Sequence, residues 1–310
     1  MKQSAAVSKP FFKLEKLTPY IFVSPFYISF LVFGAFPILF SLFISFHSWN
    51  GIREMTFNGF ANYYFLFKDP LFWKSVGNTV GMLLIGAIPS NILALIFAYI
   101  LNRGQFRFKN FFKGVLFLPY ITSSVAVALV FGIFYGTQYG LLNYLLKPAF
   151  TLLESSTLDS SYPVEWLRGY LTLFSISFLS IWRWTGWNTL IYLAAMQGIS
   201  PTIYEAARID GATSRQILFK ITIPMLKPVI FFAFTMSIIG GMQAFDESVV
   251  LLGIDGGPEN SYIGFTTSMY IYNNAFRWGY FGIASAASYV LFGIILILAA
   301  INKKLFKEDN

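Results

Sequence analysis

Apolar residues run through this chain in long blocks, with polar residues gathered between them. Six blocks stand out, at 19–46, 76–101, 115–135, 171–196, 229–252 and 281–301. A helix crossing the hydrocarbon core of about 30 Å needs roughly 18 or more such residues. The pattern therefore predicts an all-α integral membrane protein with six transmembrane helices. Pro25, Pro37, Pro89 and Pro119 fall within or near the starts of these blocks. Proline kinks a span, and a bilayer tolerates this where a neighbour or cavity water satisfies the freed carbonyl. Packing irregularity and a gating hinge both fit.

Composition agrees with lipid as the solvent. Of the 310 residues, 56% are hydrophobic and 12% charged, and mean hydropathy is +0.62; soluble domains carry about 25% charged residues. Cysteine is absent, and His47 is the single histidine. Disulfides, thiol catalysis and multi-histidine or cysteine metal sites are thereby excluded.

The net charge of +8 would suit nucleic acid if it were clustered on one soluble face. Its distribution argues for a membrane instead. With the N-terminus in the cytoplasm, the inner segments hold 15 of the 22 basic residues and the outer loops six, leaving Arg183 within the fourth block. Basic residues favour the cytoplasmic side, so both termini are expected inside a bacterial-type cell membrane. Residues 1–17 read as a cytoplasmic segment, because the apolar run after them is too long for a signal peptide. Residues 18–303 read as one six-helix membrane domain, and 304–310 as a cytoplasmic tail. The outer loops are 47–75, 136–170 and 253–280; the apolar patch at 141–150 suits a short interfacial helix. Gly77 with Gly81, Gly132 with Gly136, and the small residues from Gly282 to Ser288 suit close helix contacts, within the bundle or with another subunit.

The inner loop at 197–228 is the least ordinary segment. Ser200 suits an N-cap and Pro201 the first helical position. Ile203, Ala206, Ala207 and Ile209 would give a short helix an apolar face, and Gly211 a left-handed end. Thr213 and Gln216 have capping-box spacing. Pro224 and Pro228 then lead into the next span. Glu205, Arg208 and Asp210 ring the apolar stripe with charge. A hairpin lying on the lipid surface and a docking helix for another protein both satisfy this pattern.

The same loop resembles the EAA motif of binding-protein-dependent ABC importer permeases. That pattern is Glu-Ala-Ala, three residues, Gly, nine residues, Ile, one residue, Leu-Pro. Glu205, Ala206, Ala207, Gly211, Ile221 and Pro224 match it, and Ile223 stands where leucine is usual. Residues 182–212, and the stretch from Phe245 through Gly256, Gly257 and Pro258 to 269–276, are similar to the carbohydrate branch, the maltose-type and glycerol-phosphate-type permeases. So are 78–80 and 116–131. The likeness covers about 18–303.

The resemblance implies the six-helix ABC permease fold and a sugar or oligosaccharide as cargo. Glycerol phosphate or another polar solute is the alternative. It also implies a second, different permease subunit, two ATPase subunits holding ATP and magnesium, and an extracytoplasmic solute-binding protein. No cofactor is expected in this chain, nor an enzymatic activity of its own. No G-x-x-x-x-G-K-[ST] phosphate loop occurs in it. Residues 205–211 would be the coupling helix seated in the ATPase.

Candidate solute contacts come from the residues themselves. Ionisable groups inside spans are rare and usually face the bundle interior. Arg183 lies mid-span, and Asp246 and Glu247 lie beyond the Gly240–Gly241 pair, toward the end of the fifth block. Arg183 could pair with either acid, or the three could line a solute path with Trp187, Asn188 and Gln243. Sugars bind through planar polar groups and aromatic stacking; tryptophans also belong at membrane interfaces. An ion-coupled transporter would want midplane carboxylates and an internal repeat, and neither is evident.

Overall fold

A computed structural model describes residues 14–102, 108–153, 163–256 and 262–306. Lys2, Lys9, Lys13, Arg103, Arg107, Lys307, Gly257, Pro258 and the polar stretch from 154 to 161 lie outside the described residues.

The chain is helical almost throughout. Helix α1 (Leu14–Phe30) runs through a π-helical turn at Leu31–Ala35 into α2 (Phe36–Ser45). A short hairpin follows, β1 (His47–Ser48) paired antiparallel with β2 (Thr56–Phe57). Next come α3 (Ala61–Lys68), the 33-residue α4 (Pro70–Asn102), α5 (Lys109–Ile121), α6 (Ser124–Phe134) and α7 (Leu141–Leu153). Helix α8 (Leu171–Gln197) precedes the short α9 (Pro201–Ile209). Then α10 (Ser214–Gln216), a π-helical stretch (Ile217–Thr222) and α11 (Ile223–Met225) lead into α12 (Lys227–Met242). The chain ends with α13 (Asp246–Leu252), α14 (Thr267–Tyr272), a π turn at Asn273–Arg277 and α15 (Phe281–Leu305).

Among the described residues, three helical runs are long and apolar enough to cross a membrane: Leu17–Ser45, Pro70–Asn102 and Phe281–Leu305. Two further candidates are bent pairs, α5 with α6 at 94° and the Ser214–Met225 segment with α12 at 69°. Helix α8 is long enough at 27 residues, about 40 Å, but Arg183, Asn188 and three tryptophans make it less apolar than the others. Among the described residues the expected six passes thus have three unbroken candidates and two bent ones, and α8, the expected fourth, falls short of the same apolarity.

Two expected spans differ in shape. The third block is not continuous: Thr122 and Ser123 adopt extended backbone between α5 and α6. Three hydroxyl residues in a row compete with helical hydrogen bonding; the Thr122 hydroxyl donates to the Leu118 carbonyl at 2.9 Å. The fifth block ends at Met242, ten residues before its expected limit, because Gly240 and Gly241 are weak helix formers. Asp246 and Glu247 then begin α13, where negative charge is favoured at a helix N-terminus.

Helices α4 and α8 pack along much of their length, with α5 and α12 against them. At Gly186 an added Cβ would lie 1.6 Å from the Leu116 carbonyl oxygen, so the α5 backbone rests directly on α8. The small face of α15 serves the bundle: a Cβ on Gly282 would lie 2.1 Å from the His47 carbonyl oxygen. Gly77 faces open space instead. Asn62 Nδ2 donates to the Ser45 and His47 carbonyls at 2.8 and 2.9 Å, fixing α3 under the hairpin. His47 has a structural partner too, with Nδ1 2.7 Å from the Phe43 carbonyl. Tyr270 donates to Asp69 at 2.6 Å, and burial together with that carboxylate holds its phenol protonated well above the usual tyrosine range.

Candidate solute cavity and coupling loop

A cavity of about 260 Å³ opens between α4, α6, α8, α12 and the start of α13, slightly below the usual range of about 300–1,000 Å³ for small-molecule sites. Arg183, Gln243, Asp246 and Glu247, four of the six candidate solute contacts, line it. Asp246 and Glu247 follow the break after Met242, at the start of α13. Arg183 Nη1 donates to Glu247 Oε1 at 2.8 Å, and their side chains are 17% and 12% exposed. Asp246 accepts from the Ser124 hydroxyl at 2.6 Å and is exposed. Of the two acids, Glu247 is therefore the one that pairs with Arg183.

Trp187 and Asn188 are not among the lining residues. Trp187 stacks on Tyr120 at 4.5 Å and on Phe117 at 6.1 Å, joining α8 to α5. Asn188 follows Arg183 by five residues, about 140° around the helix, and its buried Nδ2 lacks a hydrogen-bond partner. Ser90, Ser124, Ser180 and Ser237 line the cavity without any sequence expectation attached to them, beside Trp184, one of the three tryptophans around Arg183. Their signal is small or polar residues four apart inside spans, as at Gly86 and Ser90, Ser180 and Trp184, and Ser237 and Gly241.

A polar latch and then a dry layer separate the cavity from the loop at 197–228. Tyr192 donates to Asn91 Oδ1 at 2.6 Å, and Asn91 Nδ2 donates to the Ala87 carbonyl and to Ser237 Oγ at 2.8 and 3.2 Å. Beyond them, Ala94, Ala98, Leu101, Leu193, Met196, Leu226, Ile230 and Ala233 form one buried apolar cluster.

The loop itself is built by local chemistry. Pro201 opens α9 after the N-cap Ser200, whose hydroxyl lies 2.8 Å from that of Thr202 and makes no backbone cap bond. Gly211 closes it at φ +78°. The Ala212 N–H donates to the Ala207 carbonyl and the Gly211 N–H to the Arg208 carbonyl, at 2.9 and 3.0 Å; these are the two bonds of a Schellman end. Thr213 and Gln216 form the capping box, with bonds of 2.7 and 3.3 Å. Among the motif residues of α9, Ala207 alone is buried, at 8% exposure. Glu205, Ala206, Arg208, Asp210 and Gly211 are exposed, and so are Ile203 and Ile209. The expected apolar face is therefore split: Ala207 turns inward while the rest faces out. Ile221 lies half-buried in the π-helical stretch and Pro224 is exposed in α11. Tyr204 of α9 packs against the buried cluster above it, and Tyr99 of α4 donates to the Ser214 carbonyl at 2.9 Å.

Comparison with known proteins points the same way. The family model described as the binding-protein-dependent transport system inner membrane component matches residues 90–305. The lactose transport system permease protein LacF of Rhizobium radiobacter is 37% identical over 282 residues, covering 90% of this chain and 91% of its own. The arabinooligosaccharides transport system permease protein AraP of Bacillus subtilis is 36% identical over 300 residues, covering 95% and 90%. A chain of a bacterial alginate ABC transporter, solved in complex with an alginate pentasaccharide-bound periplasmic protein, superposes with a TM-score of 0.76 at 23% identity, covering 94% of each chain. The shared fold, the apolar helices and these matches lead to one conclusion: the chain belongs to the family of binding-protein-dependent transport system inner membrane components.

Proposed function

We propose that this chain is one permease subunit of an ATP-driven importer for a sugar or oligosaccharide, with its termini and the loop at 197–228 in the cytoplasm. Relatives named for lactose and arabino-oligosaccharide transport support the cargo class. The observation that carries the mechanism is the two-faced helix α9. Its outward face offers Glu205, Ala206, Arg208, Asp210 and Gly211 to a partner, and its inward face sets Tyr204 and Ala207 against the membrane bundle.

Such a helix transmits force. A partner ATPase seated on the outward face would pull or tilt α9 as it closes. Tyr204 and the Tyr99–Ser214 bond would pass that motion to the apolar cluster between α4, α8 and α12. Rigid packing converts small displacements into a switch between two arrangements. Opening that layer would expose the cavity to the cytoplasmic side. The chain would act with a second, different permease, two ATPase subunits that bind ATP and magnesium, and an extracytoplasmic binding protein. It would itself carry out no hydrolysis. Arg183, Gln243, Asp246 and Glu247 would line its half of the path.

The test is gentle purification of the tagged chain in mild detergent. A second permease and an ATPase should accompany the wild type, and the ATPase should be depleted with Glu205→Ala or Gly211→Leu. Purification of the chain alone, unchanged by either substitution, would leave α9 as a surface hairpin.

A further inference from the structure

The cavity holds three charged side chains, and its cation is already committed to the protein itself. Arg183 is held by Glu247 at 2.8 Å. Asp246 accepts from Ser124, the first residue of α6, and is itself the first residue of α13. Its carboxylate is thus tied to the start of α6 through that hydroxyl. The guanidinium is engaged through one nitrogen and its buried Nε has no partner, so the lining carries two carboxylates to one cation. Ser90 and Ser237 already donate to the Ala87 and Ala233 carbonyls at 3.1 and 2.9 Å; the other neutral polar groups of the lining are the Ser180 hydroxyl, the Gln243 amide and the Trp184 indole.

We infer that this cavity selects uncharged sugars and rejects acidic ones, with Glu247 as the residue that sets the charge preference. The inference rests on the reading of the cavity as the solute path. A uronate entering here meets two carboxylates against one guanidinium that is already paired with Glu247, and like charges at a few ångströms in a poorly screened site repel strongly. A neutral sugar meets hydroxyl and amide partners and one aromatic face, the groups that suit its hydroxyls and its C–H surfaces. Replacing Glu247 by Gln keeps an acceptor for Arg183 but leaves the guanidinium charge uncompensated, so the preference relaxes toward acidic sugars.

The experiment uses the full importer complex in detergent at low ionic strength, read by tryptophan fluorescence, with Trp184→Phe assigning the cavity signal. The probes are a neutral trisaccharide and a triuronate of equal length. The wild type should bind the neutral probe at least about tenfold more tightly. Glu247→Gln should shift the ratio of the two affinities about tenfold toward the triuronate. The double variant Arg183→Gln/Glu247→Gln should lose that shift. Equal wild-type binding of both probes overturns the inference, as does a Glu247→Gln protein that still binds the neutral probe but shows no shift. Absence of any Trp184-dependent signal with either probe overturns the assignment of the cavity as a solute path, and this inference with it.

Discussion

The Arg183 guanidinium and the Glu247 carboxylate meet at 2.8 Å across 64 residues of sequence, tying α8 to the start of α13. Removing one partner of such a pair strands the other in a poorly solvated place, while replacing both with apolar groups of similar size is often tolerated. Glu247→Ala and Arg183→Ala should each destabilise the protein by about 3 kcal/mol. Arg183→Met/Glu247→Leu should recover most of that loss. Thermal unfolding in detergent measures this, and additive single and double effects would show that the pair is not coupled.

Gly186 and Gly77 give opposite expectations for the same substitution. Gly186→Ala would drive a methyl group into the Leu116 carbonyl region, and Gly77→Ala meets only open space. The first should cost about 3 kcal/mol by forcing α5 off α8. The second should be nearly silent for the isolated chain. Expression level and melting temperature of the two variants decide it, and equal melting temperatures would mean that α5 does not rest on Gly186.

Neighbouring alanines in α9 separate folding from coupling. Ala206 is exposed and Ala207 is buried. Ala207→Leu should destabilise the chain by about 1–3 kcal/mol through overpacking. Ala206→Leu should leave stability within about 0.5 kcal/mol yet impair association with the ATPase, which a pull-down at matched expression reads. The reverse pattern would invert the orientation of α9.

Tyr192 and Asn91 form the latch below the cavity. Tyr192→Phe deprives the Asn91 carbonyl oxygen of its 2.6 Å donor, and an unpaired buried acceptor costs about 1–3 kcal/mol. A melting temperature unchanged from the wild type would place water or another donor at that oxygen.

Much of this was legible along the chain. The apolar blocks locate the passes because hydropathy is a sum over about 20 neighbouring residues and needs no tertiary information. The α9 loop is legible for a different reason. Pro201, Gly211, Thr213 and Gln216 act on backbone within a few residues of themselves, so the Schellman end and the capping box follow from local chemistry. Three features were not legible. The breaks at Thr122–Ser123 and after Met242 occur inside runs that stay apolar on average. The fate of Trp187 depended on Phe117 and Tyr120, 70 and 67 residues away in sequence, and no local pattern carries such a pairing. The serines of the cavity were passed over because single hydroxyls in apolar helices usually bond their own backbone, as Ser237 does to the Ala233 carbonyl at 2.9 Å.

The orientation has a direct check, because the natural chain contains no cysteine. Tyr139, 94% exposed, lies in the loop before α7, and Ala212 lies in the loop after α9. A Tyr139→Cys variant should react with an impermeant maleimide added outside intact cells. An Ala212→Cys variant should react only after the cells are opened. Labelling of both from outside would contradict the proposed topology.

The central claim is that ATP hydrolysis, coupled through α9, drives sugar uptake. Its most direct test is uptake of a labelled neutral oligosaccharide into proteoliposomes holding the complete complex, with the binding protein added on the outer-loop side. Uptake should require ATP and magnesium on the α9 side, survive ionophores that collapse proton and sodium gradients, and fall at least about tenfold in Gly211→Leu. Uptake without ATP that follows an imposed ion gradient, and persists in Gly211→Leu, would contradict it and make the chain a secondary transporter.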